Sequence, residues 1–576
     1  MRRPTLILSA LALSLFPFSV QGEVPSAILL GGDALPGGPP GHTITALNNT
    51  AVNHAGGYSV TLNSTDGVTT LSHAWGSSSG GPGGVLWTEG TFGQYRQDSW
   101  ESFYGMTDNG AVAYSPLCTD TGTGVSGLDA VYLNDNKIMI ENEPYPHQPG
   151  MYWTFGSRAD ATADGVPYFV GGITVNQGAA TTNRGLFYGP TATPLLLGGW
   201  TVAGLPDTLD HNATVSFDYR FSALGTHYTA EVQTVTGLTT NDNHVVIDGA
   251  VALAGGSPVS EASPVPPGAG GLPGENWDNF DFMGIDEEGH WMFTGDTDAD
   301  VALDEFIAFD GAILFREGDG VSGEVLSGSI EGAYMNEQED IAYIWDIQNN
   351  LLEALFLNDR MVLKEGDEVD LDGDGIPEAG TALLDFTGIS TLTMSDRDGN
   401  DDVRIYFTAN VEVPAARLAP GMEIARETGA DIRFGEGWRE ERGIAEGDDS
   451  EESGEPGTRV TVEGYFVVVA PAVETGVAEG EGMPYPTGRL DAYPNPSKGE
   501  SRIRFHMPES GPADLDVYDL AGRHVRTLAT GIFPRGEQSV LWDGRDENGR
   551  TVANGVYFLR YQTGERAMAR RITLVR

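Results

Sequence analysis

Seven times before residue 410, a short polar turn gives way to an alternating apolar run. The turns stack as NHAGGYSV from Asn53, TDNGAVAY from Thr107, TADGVPYF from Thr162 and DHNATVSF from Asp210. DEEGHWMF follows from Asp286, NEQEDIAY from Asn336 and, with extra residues, DRDGNDDVRIYF from Asp396. Successive copies begin 48 to 76 residues apart. The first polar side chain can bond the backbone two positions on. Gly at the fourth position supplies a positive φ, and the alternation after it is that of a half-buried strand. Each copy therefore predicts a hairpin. A tighter hairpin precedes several copies: FIAFDGAILFREGD from Phe306, LFLNDRMVLKEGD from Leu355, AVYLNDNKIMIENE from Ala130 and HVVIDGAVALAGG from His244. One unit reads strand, tight turn, strand, loop, strand, polar turn, strand.

Four antiparallel strands in about 50 residues is the size of a propeller blade, and seven copies fit a closed ring. The predicted fold class is all-β: a seven-bladed β-propeller-like repeat ring followed by a small Ig-like β-sandwich. A stack of separate sandwiches is the alternative. The first unit, AILLGGDALPGG from Ala27, lacks the strand before it, and an isolated apolar run, GYFVVVA, occurs at Gly464–Ala470. Pairing of Gly464–Ala470 with Ala27–Leu30 would latch the ring. Closing the intervening loop costs roughly 3–4 kcal/mol plus a constant. Burying two or three of Phe466, Val467, Val468 and Val469 returns roughly 1.5–3 kcal/mol each, so burial wins.

The polar turns and the EGD after the tight hairpin resemble a family of secreted bacterial tandem-repeat proteins of NxxGxxAF type, in which such units precede a C-terminal anchoring domain. The likeness spans residues 27–413, with Ala213 and Glu339 standing where Gly is expected. It implies no established catalytic activity.

Charge divides the chain. The formal net charge is −51, yet from Thr487 onward there are 14 Lys and Arg against 11 Asp and Glu. So acidic a chain is repelled by nucleic acid and anionic membranes. The 78 glycines fit many tight turns better than long helices. The tail predicts strands at Ser501–His506, Ala513–Tyr518, Ser539–Trp542, Val556–Gln562 and Ala567–Val575, a small antiparallel sandwich. It resembles the Ig-like domain of flagellar hook-capping proteins and, equally, the C-terminal sorting domains of type IX secretion substrates. The likeness rests on Tyr493-Pro494-Asn495-Pro496, Val517 to Arg523, Trp542-Asp543-Gly544-Arg545 and Asn554-Gly555-Val556-Tyr557. It implies export across the outer membrane, followed by release or attachment at the surface. Secretion or attachment machinery is then a partner of residues 487–576, with Arg570, Arg571 and Arg576 available to an acidic receptor. A plain Ig-like spacer is the alternative.

Residues 1–22 read as a secretory signal: Arg2 and Arg3 open it, Leu6 to Phe18 form its apolar middle, and Val20-Gln21-Gly22 its cleavage site. No later segment is apolar enough to span a bilayer as a helix. Cys118 is the single cysteine, so no internal disulfide forms, and it is expected to be a small buried apolar residue. The expected organisation is a signal at 1–22, repeats over 23–413 with the ring closed by 464–470, an acidic, largely disordered insertion at 414–463, a linker at 471–486, and the Ig-like domain at 487–576. A partner-binding role is the other reading of the acidic run Glu436 to Thr458.

The candidate chemistry is sparse. In DLDGDGIPEAG, Asp370, Asp372 and Asp374 alternate, Gly375 permits a sharp turn, Ile376 offers a carbonyl and Glu378 a further carboxylate. A hard cation such as calcium needs six to eight oxygens, and this loop gathers several. It is not an EF-hand, since Thr381 stands at the twelfth position. An exposed acidic turn is the alternative. Asp296, Asp298, Asp300 and Asp304 form a looser string. GTGVSG at Gly122 matches a phosphate-loop pattern by letter but lacks a following helix. Trp277, Phe280 and Phe282 could stack on a sugar or simply pack, and a packed role is expected of His290-Trp291. No HExxH, nucleophile elbow or distinctive carboxylate pair occurs, so no catalytic residue is assigned. The leading expectation is a secreted, non-enzymatic protein that displays or binds an extracellular glycan or protein ligand. A polysaccharide lyase or hydrolase, or a structural envelope component, are the competing readings. Two carboxylates beside a histidine at one channel mouth would favour the enzyme, and aromatics on an open groove would favour glycan binding.

Overall fold

A computed structural model describes residues 23–235, 241–387, 391–414, 459–472 and, with short gaps, 490–574. The expected signal, the acidic run Glu436 to Thr458, Pro494-Asn495-Pro496, Leu520 to Gly522, Asn554 and Arg576 lie outside them. Apart from one 3-10 turn, Pro267–Ala269, the regular structure of the described residues is all β. Among them no helix is long and apolar enough to cross a membrane.

Among the described residues before 472 there are seven antiparallel sheets of four or more strands, besides a two-stranded ribbon of Leu253–Ala254 with Ser257–Pro258. The first runs Thr43–Val52, Tyr58–Thr65, Thr70–Ser77, Gly84–Thr88. The second is built on Tyr95–Met106, Val112–Asp120, Leu128–Leu133 and Asn136–Ile140, and the third on Tyr152–Ala161, Pro167–Thr174, Asn183–Tyr188 and Thr193–Leu197. The fourth holds Val215–Phe221, Tyr228–Gln233, Asn243–Ile247 and Ala250–Val251. Trp277–Ile285, Trp291–Thr297, Phe306–Phe309 and Ala312–Arg316 make the fifth. Glu324–Met335, Ile341–Ile347, Leu352–Leu357 and Arg360–Lys364 make the sixth. The seventh joins segments distant in sequence: Ala382–Phe386 and Thr393–Met394 pair with Asp402–Pro414, which pairs with Arg459–Pro471, which pairs with Ser26–Leu30. There Leu30 faces Gly464 and Ala27 faces Phe466, and the strand is longer than the apolar run Gly464–Ala470.

The polar turns connect the first two strands of a sheet, and the tight hairpins its last two. The tight hairpin therefore follows the polar turn of its own sheet, the reverse of the phase read from sequence. At Asp248-Gly249 and Asp310-Gly311 both residues have positive φ, 49 and 76 degrees, then 47 and 77 degrees, the backbone that a two-residue hairpin loop requires. The fourth polar turn also moves. Asp210 precedes the first strand of its sheet, and the connecting turn is Ser222-Ala223-Leu224-Gly225, with Gly225 at φ 72 degrees. In the seventh, Asp398 takes the first position and Asp401, at φ 62 degrees, the fourth.

Inner strands such as Pro167–Thr174 and Ile341–Ile347 are buried at every position, because neighbouring sheets cover both faces. The apolar cores lie between sheets. Tyr104 and Tyr114 meet Ala51 and Ala74; Trp153 and Phe169 meet Val131 and Met139; Val215 and Phe221 meet Tyr168 and Leu186. Trp277 and Phe293 meet Val245; Tyr343 and Trp345 meet Met292 and Phe315; Phe407 and Phe466 meet Ile344 and Leu355. Finally Tyr406 and Tyr465 of the seventh sheet meet Val60, Leu62 and Trp75 of the first.

The tail is two sheets over one core. Leu490–Tyr493, Ser501–Met507 and Gly536–Trp542 form one; His524–Phe533, Gly511–Asp519, Gly555–Thr563 and Arg566–Leu574 form the other. Ile503, Phe505, Leu515, Val517, Trp542 and Leu559 fill the space between. The strand His524–Phe533 was not evident from the sequence.

Candidate functional site

The polar turns bring the chain's chemistry to one place. In each, the first side chain folds back over the turn. Asn53 Oδ1 accepts from Gly57 N at 2.5 Å, Thr107 Oγ1 from Ala111 N at 2.9 Å, and Thr162 Oγ1 from Val166 N at 2.9 Å. Asp286 Oδ1 accepts from His290 N at 2.8 Å and Asn336 Oδ1 from Asp340 N at 2.9 Å. With the first residue so occupied, the second reaches the neighbouring turn by side chain or backbone, and in the seventh sheet Asp396, just before the turn, does so.

These contacts run from sheet to sheet. His54 N donates to Asp108 Oδ1 at 2.9 Å, Asp108 N to the Ala163 carbonyl at 2.9 Å, and Ala163 N to the Ala223 carbonyl at 2.7 Å. Ala223 N donates to Glu337 Oε1 and Glu287 N to Glu337 Oε2, both at 2.8 Å. Glu337 N donates to Asp396 Oδ1 at 3.2 Å, and Asp396 Oδ2 lies 2.8 Å from His54 Nδ1. Burial by itself would lower the His54 pKa. The hydrogen bond to Asp396 and the charges of Asp396, Glu337 and Asp108 outweigh it and raise the pKa above the usual imidazole value. Burial raises the Glu337 carboxyl, against the pull of its two backbone donors.

Behind this circle lies a cavity reached from all seven sheets, lined by His54, Met106, Asp160, Arg220, Ile285, Glu337 and Asp396 among others. It adjoins a second cavity that shares Tyr104, Asp160, Tyr168, Arg220 and Tyr334 and adds Tyr219 and Phe282. Arg220 Nη1 is 3.4 Å from Asp160 Oδ2, and its guanidinium sits 4.9 Å from the centre of the Tyr334 ring. Tyr168 Oη donates to Asp160 Oδ2 at 2.9 Å, and Ala161 N to Oδ1 at 2.6 Å. Burial still raises the Asp160 pKa, although Arg220 opposes it. The wall thus sets two guanidinium groups, Arg158 and Arg220, among aromatic rings, and the Asp160 counter-charge of Arg220 is held by hydrogen bonds.

In the acidic loop three of the expected carboxylates draw together. One oxygen each from Asp370, Asp372 and Asp374 lies within 4.8 Å of the others. Asp370 is fully buried. Its carboxylate accepts from Gly373 N at 2.7 Å, Gly375 N at 2.8 Å and Ser26 Oγ at 2.8 Å. Burial alone would raise its pKa, but those backbone donors and Ser26 bring it below the usual value. Glu378 Oε2 instead accepts from Leu371 N at 2.6 Å, and the Ile376 side chain is exposed.

The looser string does not converge in the same way. Asp298 holds Asn276 N at 2.6 Å, Asp300 accepts from Ala302 N, and Asp304 from Glu305 N. Asp296 pairs with Glu305, whose pKa burial, then Asp296, Asp281 and Asp304, push up to about 10. Two further groups bring three ligand atoms within 4.8 Å: Asp286 with His290 and Glu339, and Glu331 with Asp346 and Glu353. Sequence reading missed both, because their members come from separate strands or turns. The circle was missed too, although the second turn column, His54, Asp108, Glu287 and Glu337, is a polar signal that stacking the turns displays.

Trp277 and Phe280 are packed at 1% exposure, which removes them as sugar platforms; Phe282 lines the cavity. Cys118 is buried, and burial pushes its thiol up to about 12, away from reactivity. Gly122 to Gly127 lie in the loop between two strands, with no helix after them.

Residues 492–564 match the FlgD Ig-like domain. No curated protein matches the chain. Among solved structures, PorZ of Porphyromonas gingivalis, described as an essential bacterial surface component of the type-IX secretion system, is 9% identical over 92% of this chain and 82% of its own, with a TM-score of 0.21. Dimeric latent PorU of Porphyromonas gingivalis is 11% identical over 62% of this chain and 32% of its own, at 0.15. Prolyl oligopeptidase B of Galerina marginata is 10% identical over 64% and 55%, at 0.25. TM-scores this low support no argument about shared fold or function.

Proposed function

We propose that this chain is a secreted or cell-surface protein whose seven sheets close into a seven-bladed β-propeller-like ring, which binds an extracellular glycan in its channel. The ring reading is supported by seven interfacial cores, the last joining the seventh sheet to the first, and by the circle of turn contacts that returns from Asp396 to His54. The strand Ser26–Leu30 would complete the seventh blade from the other end of the ring.

One observation carries the binding reading: Arg220 and the rings of Tyr104, Tyr168, Tyr219, Phe282 and Tyr334 wall the inner cavity. Sugars offer C–H faces to aromatic rings and hydroxyls to a guanidinium. The mouth does hold two carboxylates beside a histidine, the arrangement that favours a hydrolase. Both Glu337 oxygens, however, accept backbone N–H groups from neighbouring turns, and the two Asp396 oxygens meet Glu337 N and His54. Groups so engaged hold neighbouring turns together, a structural task that the binding reading accounts for.

In this reading calcium is structural, held by Asp370, Asp372 and Asp374 in the loop that leads to Glu378. The Ig-like tail carries export or attachment. A glycan array on the purified chain, followed by calorimetry of any hit, tests the binding. Arg220→Lys and Phe282→Ala should each weaken it at least tenfold. An empty array, or a hit whose affinity neither variant changes, refutes the channel site. For the tail, a reporter fused to residues 487–576 should reach the surface of a host with type IX machinery; retention in the periplasm refutes sorting.

A further inference from the structure

We infer that the glycan held in the inner cavity is acidic: it presents a uronic acid whose carboxylate is received by the Arg220 guanidinium and the Asn49 amide. This rests on the glycan reading of the cavity and adds the chemical class of its ligand. Arg220, Asn49, Arg158 and the rings of Tyr104, Tyr219 and Phe282 line that one cavity.

The carboxylates of this wall are committed, and its donors are not. Asp160 Oδ1 accepts from Ala161 N at 2.6 Å, and Oδ2 from Tyr168 Oη at 2.9 Å. Asp218 is engaged as well. Tyr104 Oη lies 2.7 Å from Ser59 Oγ, and Tyr219 Oη donates to the Arg158 carbonyl. Arg220 differs. Among the described residues its guanidinium has a single acceptor, Asp160 Oδ2 at 3.4 Å, beyond the about 2.7–2.9 Å of a full charge-assisted bond. A guanidinium is a planar fork of donors, and most of this one is uncommitted. The side chain keeps 34% of its surface accessible and lines both cavities. Asn49 is an independent sign. It is 8% exposed, yet its buried Nδ2 meets no acceptor among the described residues. A buried donor without a partner is costly, and an oxygen of the ligand is what it lacks.

The wall is also built to hold its shape. In the first, third and fifth sheets the first strand carries an extra residue beside the cavity: Asn48-Asn49 oppose Thr61, Arg158-Ala159 oppose Phe169, and Asp281-Phe282 oppose Thr294. Such bulges re-aim side chains and free a backbone N–H from the ladder. A hydroxyl takes each one: Asn49 N donates to Thr61 Oγ1 at 3.2 Å, Ala159 N to Ser115 Oγ at 3.1 Å and Phe282 N to Thr294 Oγ1 at 3.2 Å. The donors and rings are therefore fixed before a ligand arrives, which lowers the ordering cost of binding. A uronate carries its carboxylate directly on the sugar ring, so the acid can meet Arg220 while the sugar face lies on the surrounding rings. A sulfate ester stands one oxygen further out. The net charge of −51 repels a long polyanion, so the fitting ligand is a mostly neutral glycan with an isolated uronate.

The test is calorimetry of the full chain with matched probes: xylotetraose bearing one glucuronate and galactotetraose ending in galacturonate, each beside its carboxyl-reduced form and the 6-sulfate of that form. Wild type should bind at least one uronate probe about tenfold or more tighter than its reduced counterpart. Arg220→Gln should bring the pair within about twofold of each other. Asn49→Asp, nearly isosteric but opposing the ligand's charge, should weaken the uronate more than the reduced form. Phe282→Ala should weaken both and keep their ratio, which separates lost discrimination from lost fold. Equal affinities within each pair, a preference for the sulfate, or a ratio retained in Arg220→Gln overturns the inference and leaves the glycan reading standing. So does a chain that takes neutral glycans on an array and neither uronate probe. A chain that binds no sugar at all ends the glycan reading, and this inference with it.

Discussion

Replacing Glu337 by alanine should destabilise the whole seven-sheet body. Its carboxylate is the acceptor for two backbone donors on two different sheets, Ala223 N and Glu287 N, each at 2.8 Å. A hydrogen bond to a charged group contributes about 1.5–3 kcal/mol, so losing both costs about 3–6 kcal/mol. Part returns, because burial already disfavours this carboxylate, as its raised pKa records. The expected loss is about 2–4 kcal/mol. Glu337→Gln keeps one acceptor and turns an amide N–H₂ toward the other donor, so it should cost about half as much. Urea denaturation of the full chain measures both, and hydrogen exchange at the Ala223 and Glu287 amides locates the effect. If the sheets stand as a closed ring, the seven-sheet body should still unfold in one shifted transition, since opening one junction weakens its neighbours. A Glu337→Ala chain within about 0.5 kcal/mol of wild type, or one with unchanged exchange at both amides, refutes the reasoning.

The long strand near the end of the repeats should be sided. Phe466, fully buried, should cost about 3–5 kcal/mol on truncation to alanine, and Val469, 46% exposed, less than about 0.5 kcal/mol; equal losses in urea melts would contradict the packing. The pH dependence follows from Glu463, which burial pushes up to about 7 while Leu47 N partly opposes the shift. Because the folded state keeps this proton longer than the unfolded chain, its contribution is complete below pH about 4.5 and is lost as pH rises through about 7. Glu463→Gln should therefore flatten the fall of melting temperature between those values, and an unaltered slope would exclude Glu463 as its source. Calcium added after chelation should raise the melting temperature of wild type and of Asp298→Ala but not of Asp372→Ala or Asp374→Ala. A rise common to all four proteins would move the ion elsewhere.

What the sequence displayed was local. Polar turn, glycine and apolar alternation are encoded within eight residues, so five of the seven turns were legible in register, as were the hairpins at Asp248 and Asp310. The pairing of Gly464–Ala470 with Ala27–Leu30 was legible as well, because each lacked a partner strand. Phase was not, since a tight hairpin between two polar turns is equally near to both, and only pairing of Trp291–Thr297 with Phe306–Phe309 assigns it. The Asp370 loop could be read because its carboxylates are neighbours in sequence. Asp160 with Arg220, or His54 with Asp396, could not: 60 and 342 residues separate them.

The two apparent exceptions to the turn pattern separate on backbone grounds. Ala213 looked like a degenerate fourth position, but the connecting turn lies at Ser222, where Gly225 holds the expected left-handed conformation. That exception was an error of register and disappears. Glu339 survives the correction, because Asn336 closes its turn like the others and the glutamate truly holds a positive φ. Asp401 does so too, and aspartate tolerates that region better than most residues. A glutamate gains nothing locally from it, and its carboxylate lies 3.8 Å from His290 Nε2 of the neighbouring sheet. Substituting glycine at 339 therefore separates two accounts of a repeat protein: in one every departure from consensus is drift, and in the other a strained turn is kept for its contact with the next sheet, so that removing it lowers the melting temperature.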